Sequence, residues 1–275
     1  MTNIKSPLRY PGGKSRAIRF LSQYIPTDFK EYREPFVGGA SVLLWALQQK
    51  PKAEYFASDA NPDLIAFWKM LQLNDTMLSR HIRKEKKRSD DGRKLYVEIV
   101  ARRDRLDNAF IRAMDFFILN RITFSGTIDS GGYSEQAFKS RFTQSSIDRL
   151  EPVANLIRGV RFVCDDYRPA LMNDPDKKGV FLFLDPPYYT AIKSGLYGTN
   201  GSLHKNFSHS QLADDLKETP HRFMMTVDDC EHTRKLYGDF CVVEWSLQYG
   251  MNNVKRHTAP KGNELLVANF EIKQK

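Results

Sequence analysis

The chain has 275 residues, 41% of them hydrophobic, and 42 Lys and Arg against 33 Asp and Glu give it a net charge of +9. That length suits one large domain or a core with an inserted lobe. A mean hydropathy of −0.51 and the lack of any run of about 18 apolar residues exclude a membrane span, and the opening MTNIKSPLRYPGGK lacks the apolar stretch of a signal peptide.

Three cysteines, Cys164, Cys230 and Cys241, form no C-x-x-C pair. Neither a disulfide framework nor a zinc site is expected, no metal is called for, and the chain reads as cytoplasmic. The basic excess points to a polyanionic partner. It is concentrated in residues 80–105, with eleven Lys and Arg against five acids. That stretch reads either as a phosphate-contacting surface or as a solvated helical face.

YPGGKS (10–15) ends like a phosphate loop, but Leu8 stands where that motif needs its first glycine and no apolar strand precedes it. The glycine pair still lets backbone approach a ligand beside Lys14; a turn with a surface lysine is the alternative. YREPFV (32–37) is the first strand, broken by Gly38 and Gly39, and ASVLLWALQQK (40–50) has apolar residues at helical spacing. AEYFASD (53–59) is the second strand and ends on Asp59. Glycines between strand and helix, followed by an acid about twenty residues on, suit an adenosine-type ligand at the carboxyl edge of a sheet. The spacing is not that of a dinucleotide fingerprint.

From 62 to 120 the pattern is helical, and from 121 to 146 it is polar, Gly/Ser-rich and loop-like. Strand-like runs return at 160–167, 180–185, 222–229, 239–250 and 263–272. The economical reading is α/β, one sheet domain over 1–61 and 147–275 with a mainly helical insert over 62–146.

VFLFLDPPYYT (180–190) carries the chemistry. A buried strand that ends on Asp185 delivers a carboxylate to the ligand crevice. Pro186 and Pro187 lack N–H groups and turn the chain stiffly away with carbonyls to spare. Tyr188 adds an aromatic face on which a base can stack. Two acceptors and a ring suit a planar exocyclic amine. A rigid turn with no ligand is the alternative.

The ordered set RYPGGK (9–14), EPFVGGAS (34–41), SDANPDL (58–64), LNR (119–121), DPPY (185–188) and NELLV (263–267) resembles the Dam-like, D12-class DNA adenine-N6 methyltransferases over essentially the whole chain. The resemblance implies a Rossmann-like methyltransferase sheet with helices on both faces and an inserted target-recognition lobe. It implies S-adenosyl-L-methionine as methyl donor and N6 of an adenine flipped out of double-stranded DNA as acceptor. By position, it implies Tyr10 and Lys14 along the cofactor and Phe36, Gly38 and Gly39 as its main loop. Asp59 would take the ribose hydroxyls, and Asp165 or, by preference, Asp166 would face the cofactor's adenine. Asp185, Pro186, Pro187 and Tyr188 would hold the target base, with Asp185 also beside the cofactor. That role needs Asp185 open to the base; an aspartate sealed in an ion pair would contradict it.

On the DNA side the expected contacts are Arg83, Lys84, Lys87 and Arg88 of the basic stretch, then Arg121 and Ser125 at the start of a hairpin implied over 121–140. Lys205 belongs to the loop 189–207, which is expected to close over the flipped base. The hairpin departs from the best-known members, since Ile128 and Asp129 stand where they carry a base-reading arginine. The resemblance therefore does not extend to GATC as the recognition sequence. Methylation of an RNA base, or nucleic-acid binding without catalysis, stays open as an alternative. So do a companion restriction endonuclease and the oligomeric state.

Overall fold

Seven strands make the frame: β1 (Glu31–Glu34), β2 (Glu54–Asp59), β3 (Val160–Cys164), β4 (Val180–Leu184), β5 (Arg222–Asp228), β6 (Cys241–Leu247) and β7 (Gly262–Ala268). The computed structural model describes residues 4–10, 12–103, 105, 107–128, 131–190, 207–247 and 262–273. The strands form one sheet in the order β3-β2-β1-β4-β5-β7-β6. The five from β3 to β5 pair in parallel, and β7 runs antiparallel to both β5 and β6. All seven fall where apolar runs in the sequence place strands.

β4 is buried at every position, as expected of a central parallel strand with both faces covered. Its side chains alternate between two cores. Phe181 and Phe183 join Tyr32, Met224 and Leu266 on one face, and Leu182 and Leu184 join Phe223, Met225 and Val227 on the other. The first core also takes in buried residues of α1 (Ile18–Leu21), α2 (Ser41–Gln49), α3 (Pro62–Arg88), α4 (Gly92–Arg103) and α5 (Ala109–Ile122). On the second face lie α9 (Arg168–Met172), α10 (His209–Glu218) and α11 (Glu231–Tyr237).

Asn61 starts α3 by accepting the N–H groups of Asp63 and Leu64, with Pro62 at the first helical position. The helix breaks its regular geometry at Asn74. Its first half lies on the sheet: Trp68 stacks on Phe162 of β3, and the Gln72 amide donates to the carbonyls of Ile157 and Val160. α5 is buried along its whole second half, from Ala113 to Ile122. It packs on α3 through Phe67 against Phe116 and Phe117. Buried Asp63 binds Arg103 and Arg112, and buried Asp115 binds Arg102. Part of the basic excess is thus spent inside the fold.

The segment after α5 is less loop-like than its composition suggests. Thr123 and Tyr133 form one antiparallel bridge, after which come α6 (Glu135–Arg141), α7 (Gln144–Asp148) and α8 (Leu150–Leu156). Among the described residues of the hairpin implied over 121–140, Thr123 and Tyr133 form one bridge, and helix follows from Glu135. Caps account for the difference: Ser134 accepts the Ala137 N–H, and Thr143 with Ser146 forms a capping box. These polar residues read as loop when counted by composition but act as helix starts.

Candidate active site

β2 and β3 extend the sheet on one side of β1, and β4 begins the other side. The crevice of such a sheet opens beyond the carboxyl ends of the strands at that reversal. Two acids stand there, Glu34 ending β1 and Asp185 directly after β4.

Asp185 is paired. Lys14 Nζ lies 2.7 Å from Oδ1 and 2.8 Å from Oδ2, and the Thr226 hydroxyl on neighbouring β5 donates to Oδ1 at 2.8 Å. Lys14 is 2% exposed and Asp185 22%, so the carboxylate is held but not sealed. Lys14 also donates to the Gly12 carbonyl at 3.1 Å and sits 4.9 Å from the Tyr188 ring centroid. Lys14, expected along the cofactor, has its ammonium on Asp185.

Further carboxyls surround this pair. Glu34 accepts the Tyr32 hydroxyl at 2.5 Å. Desolvation holds its carboxyl well above the usual range, and the Asp185 charge adds to that. Burial pushes Glu264 on β7 up to about 7, with Asp185 and Asp228 adding and Lys14 opposing. Desolvation, then the Asp185 and Glu264 charges, holds the Tyr188 hydroxyl well above its usual range. Burial is the first cause at each of these groups, and the neighbouring carboxylate charges add to it.

Asp228, at the end of β5, accepts the backbone N–H groups of Tyr189 and Thr190, each at 2.8 Å. Pro186 and Pro187 cannot continue a ladder, so a side chain fixes the path of the chain leaving the turn. Thr226, Asp228 and Glu34 escaped the sequence reading. Period-two alternation in RFMMTVDD sets the first two on one face of β5 but does not say which strand lies beside it.

The glycine loop lies beside this centre. Gly38, at φ 43°, donates its N–H to Asp59 Oδ2 at 3.0 Å, and the Asn61 N–H reaches Oδ1 at 3.0 Å. Burial pushes the Asp59 carboxyl up to about 6 against those two bonds. A Cβ at Gly38 would come within 2.9 Å of the Tyr10 ring, and one at Gly39 within 2.8 Å of Tyr10 Cβ. The close approach that these glycines permit is that of Tyr10. Phe36 stacks on Tyr167 at 5.5 Å and meets Phe207 edge-on at 5.6 Å. The Asp165 N–H donates to the Asp59 carbonyl at 3.2 Å. Asp166, exposed, accepts the Arg168 N–H at 3.0 Å.

Asn120 ties the helical insert to the lysine segment. Its amide accepts the Arg9 N–H at 2.9 Å and donates to the Arg9 carbonyl at 2.8 Å and the Gly126 carbonyl at 3.1 Å. A Cβ at Gly126 would fall 2.3 Å from the Arg9 carbonyl oxygen, which fixes glycine there. Ser125, at φ 55°, is half-buried between Gly126 and exposed Phe124.

Arg121 is buried rather than displayed. Its guanidinium lies over the Phe117 ring at 5.2 Å, and its Nε and the Arg9 Nη1 have no hydrogen-bond partner. Desolvation pushes Arg121 down to about 9, with the charges of Arg149, Arg9 and Arg141 adding. In the basic stretch Arg83 is paired with Asp148, and Arg88 with Glu85 and Glu98. Lys84 and Lys87 are exposed. Lys205 and most of the loop 189–207 lie outside the described residues.

An acid at the rim of a mainly parallel sheet, a glycine loop with an acid ending the next strand, and a cluster of arginines beside the lysine segment make up the candidate site. The model of the D12 class N6 adenine-specific DNA methyltransferases matches residues 10–251, and the chain belongs to that family. It is 25% identical over 245 residues to a DNA adenine methylase of Vibrio cholerae, covering 86% of each chain. It is 23% identical to the Type II methyltransferase M.CviBI of Paramecium bursaria Chlorella virus NC1A, over 98% of this chain and 99% of that one. To the Type II methyltransferase M.MjaIII of Methanocaldococcus jannaschii it is 26% identical over 70% of this chain and 72% of that one. The protein is an adenine-specific DNA methyltransferase.

Proposed function

We propose that the crevice beyond β1 and β4 transfers a methyl group from S-adenosyl-L-methionine to N6 of an adenine flipped out of double-stranded DNA. The observation that carries this reading is the acceptor count at Asp185. An ionised carboxylate has roughly four lone-pair positions. Lys14 takes one on each oxygen and Thr226 a second on Oδ1. Oδ2 keeps a position for a further donor, and the side chain is open enough to receive one.

An exocyclic adenine amine supplies that donor. Its lone pair is delocalised into the ring, which makes it a poor nucleophile. Hydrogen bonds from N6 to Asp185 Oδ2 and the Pro186 carbonyl favour a more tetrahedral nitrogen, and they stabilise the positive charge that grows there. Pro187 keeps the turn rigid, and the Tyr188 ring stacks on the base. Lys14 and Thr226 hold the carboxylate in one orientation, so little reorganisation is left for the moment of reaction.

S-adenosyl-L-methionine supplies a methyl group already activated by a sulfonium. The residues present fit it. The Asp59 carboxylate, fixed by two backbone N–H groups, suits ribose hydroxyls, and Phe36 with Tyr10 offers apolar walls. Asp166 faces the adenine end, and the loop of Gly38 and Gly39 lines the middle.

On the DNA side, Lys84 and Lys87, exposed on α3, contact phosphates, and Ser125 and Lys205 are further DNA contacts. Exposed lysines suit phosphate oxygens, which give affinity without sequence reading. Residues 62–146 form the target-recognition lobe and the remainder the catalytic domain. The relatives include both an adenine methylase and Type II methyltransferases, so a companion endonuclease is a partner to test. Incubation with methyl-labelled S-adenosyl-L-methionine and duplex DNA should give labelled N6-methyladenine. Label on RNA and none on DNA would overturn the reading.

A further inference from the structure

His209 is the first residue of α10 and is 3% exposed. The helix start that carries it is fixed by Ser208, whose hydroxyl accepts the Gln211 N–H at 3.2 Å. Its ring makes two short contacts, Nε2 to the Pro187 carbonyl at 2.8 Å and Nδ1 to the Tyr237 hydroxyl at 2.9 Å. Phe207, Tyr189 and Tyr237 meet the imidazole nearly edge-on, with centroids 5.1, 5.9 and 6.2 Å away.

A carbonyl only accepts, so Nε2 must carry the proton. Burial favours the neutral ring, with His232 adding, while the Pro187 carbonyl and the Asp228 charge oppose. In the neutral form Nδ1 is then an acceptor, and the Tyr237 hydroxyl, fully buried, donates to it. The tautomer is set by chemistry at both ends.

The Pro187 carbonyl belongs to the peptide plane that carries the Tyr188 nitrogen. Fixing that oxygen fixes the direction in which Tyr188 leaves the backbone. Neither Pro186 nor Pro187 has an N–H with which to pin the turn from the other side. Asp228 holds the next two N–H groups, so His209 and Asp228 clamp the turn before and after Tyr188.

We infer that His209 is a positioning residue: its Nε2–H, held by Tyr237, sets the Pro187–Tyr188 peptide and so the ring on which the target base stacks. The inference rests on the proposed role of Tyr188.

The test compares His209→Leu, His209→Gln and Tyr237→Phe in the full chain. His209→Leu should lower kcat on duplex DNA about tenfold or more, the scale of one hydrogen bond lost at a positioned group. Its Kd for S-adenosyl-L-methionine should stay within about twofold of the parent. His209→Gln, whose amide can still donate to the carbonyl, should recover most of kcat, and Tyr237→Phe should fall between. Unchanged kcat in His209→Leu, or His209→Gln no better than His209→Leu, overturns the inference. Nitrogen-15 NMR of the unmodified protein decides it without any variant or DNA. A neutral Nε2–H tautomer for His209 near pH 7 supports it, and an Nδ1–H tautomer or a charged ring overturns it. That arm stands even if the acceptor proves not to be DNA.

Discussion

Lys14 Nζ lies 2.7 and 2.8 Å from the two carboxylate oxygens of Asp185, a residue 171 positions further along the chain. The pair joins the N-terminal segment to the end of the central strand. Because Asn120 grips Arg9 a few residues earlier, the loop after α5 is linked to the Asp185 carboxylate through one short stretch of backbone.

Lys14→Ala should therefore harm more than catalysis. It leaves Asp185 with Thr226 alone among its present donors. Breaking a fully buried pair costs about 3–5 kcal/mol, and the partial exposure of Asp185 reduces the expectation to about 2–3 kcal/mol. Urea unfolding of the variant measures this. Unchanged stability would mean that the pair contributes nothing net to folding.

Asn120→Ala removes three hydrogen bonds at a fully buried amide. Stranded partners in the interior make a loss of about 2–4 kcal/mol the expected outcome. Affinity for duplex DNA should fall as well, because Arg9 and the loop after α5 lose their common anchor. A variant that unfolds like the parent would show the bridge to be dispensable.

The shift at Glu264 has a sign that titration can check. Its carboxyl is raised to about 7 in the fold from an ordinary value of about 4.3. The folded state thus favours the protonated form. This stability is fully present below the ordinary value and is lost as pH rises through about 7. Glu264→Gln keeps the shape without the charge, so its stability should decline less between pH 5 and pH 8, by on the order of 3 kcal/mol. Parallel pH curves for the two proteins would argue that Glu264 is ordinary.

Salt dependence separates the basic residues. Each phosphate contact contributes a slope of about 0.9 in log affinity against log salt. The double change of exposed Lys84 and Lys87 to Gln should flatten the slope for duplex DNA by about two contacts, whereas Arg121→Gln, whose side chain is buried over Phe117, should leave it unchanged. Arg83→Gln and Arg88→Gln should move it less, since Asp148, Glu85 and Glu98 already hold those side chains. Slopes flattened as much by Arg83→Gln or Arg88→Gln as by loss of either lysine would make the ion pairs irrelevant to binding.

The strands were legible because each is a short apolar run with a turn signal at its end; VFLFLD and RFMMTVDD are clear cases. The helices of 135–156 were hidden because caps made of Ser134, Thr143 and Ser146 look like loop by composition. At the site, motif residues such as Asp59 and Asp185 could be read from their place at strand ends. Their partners could not. Thr226 and Asp228 reach Asp185 and the following turn only because β5 lies beside β4, a pairing that no local pattern states. The burial of Arg121 was equally invisible, since a basic residue in a polar stretch reads as surface until the packing of α5 is known.

The most direct measurement is a structure of the enzyme with duplex DNA and a non-reactive analogue of S-adenosyl-L-methionine. The account predicts the target adenine out of its stack, against the Tyr188 ring, with N6 about 2.6–3.2 Å from Asp185 Oδ2. A flipped base lodged elsewhere, with no hydrogen bond from N6 to Asp185, would contradict it.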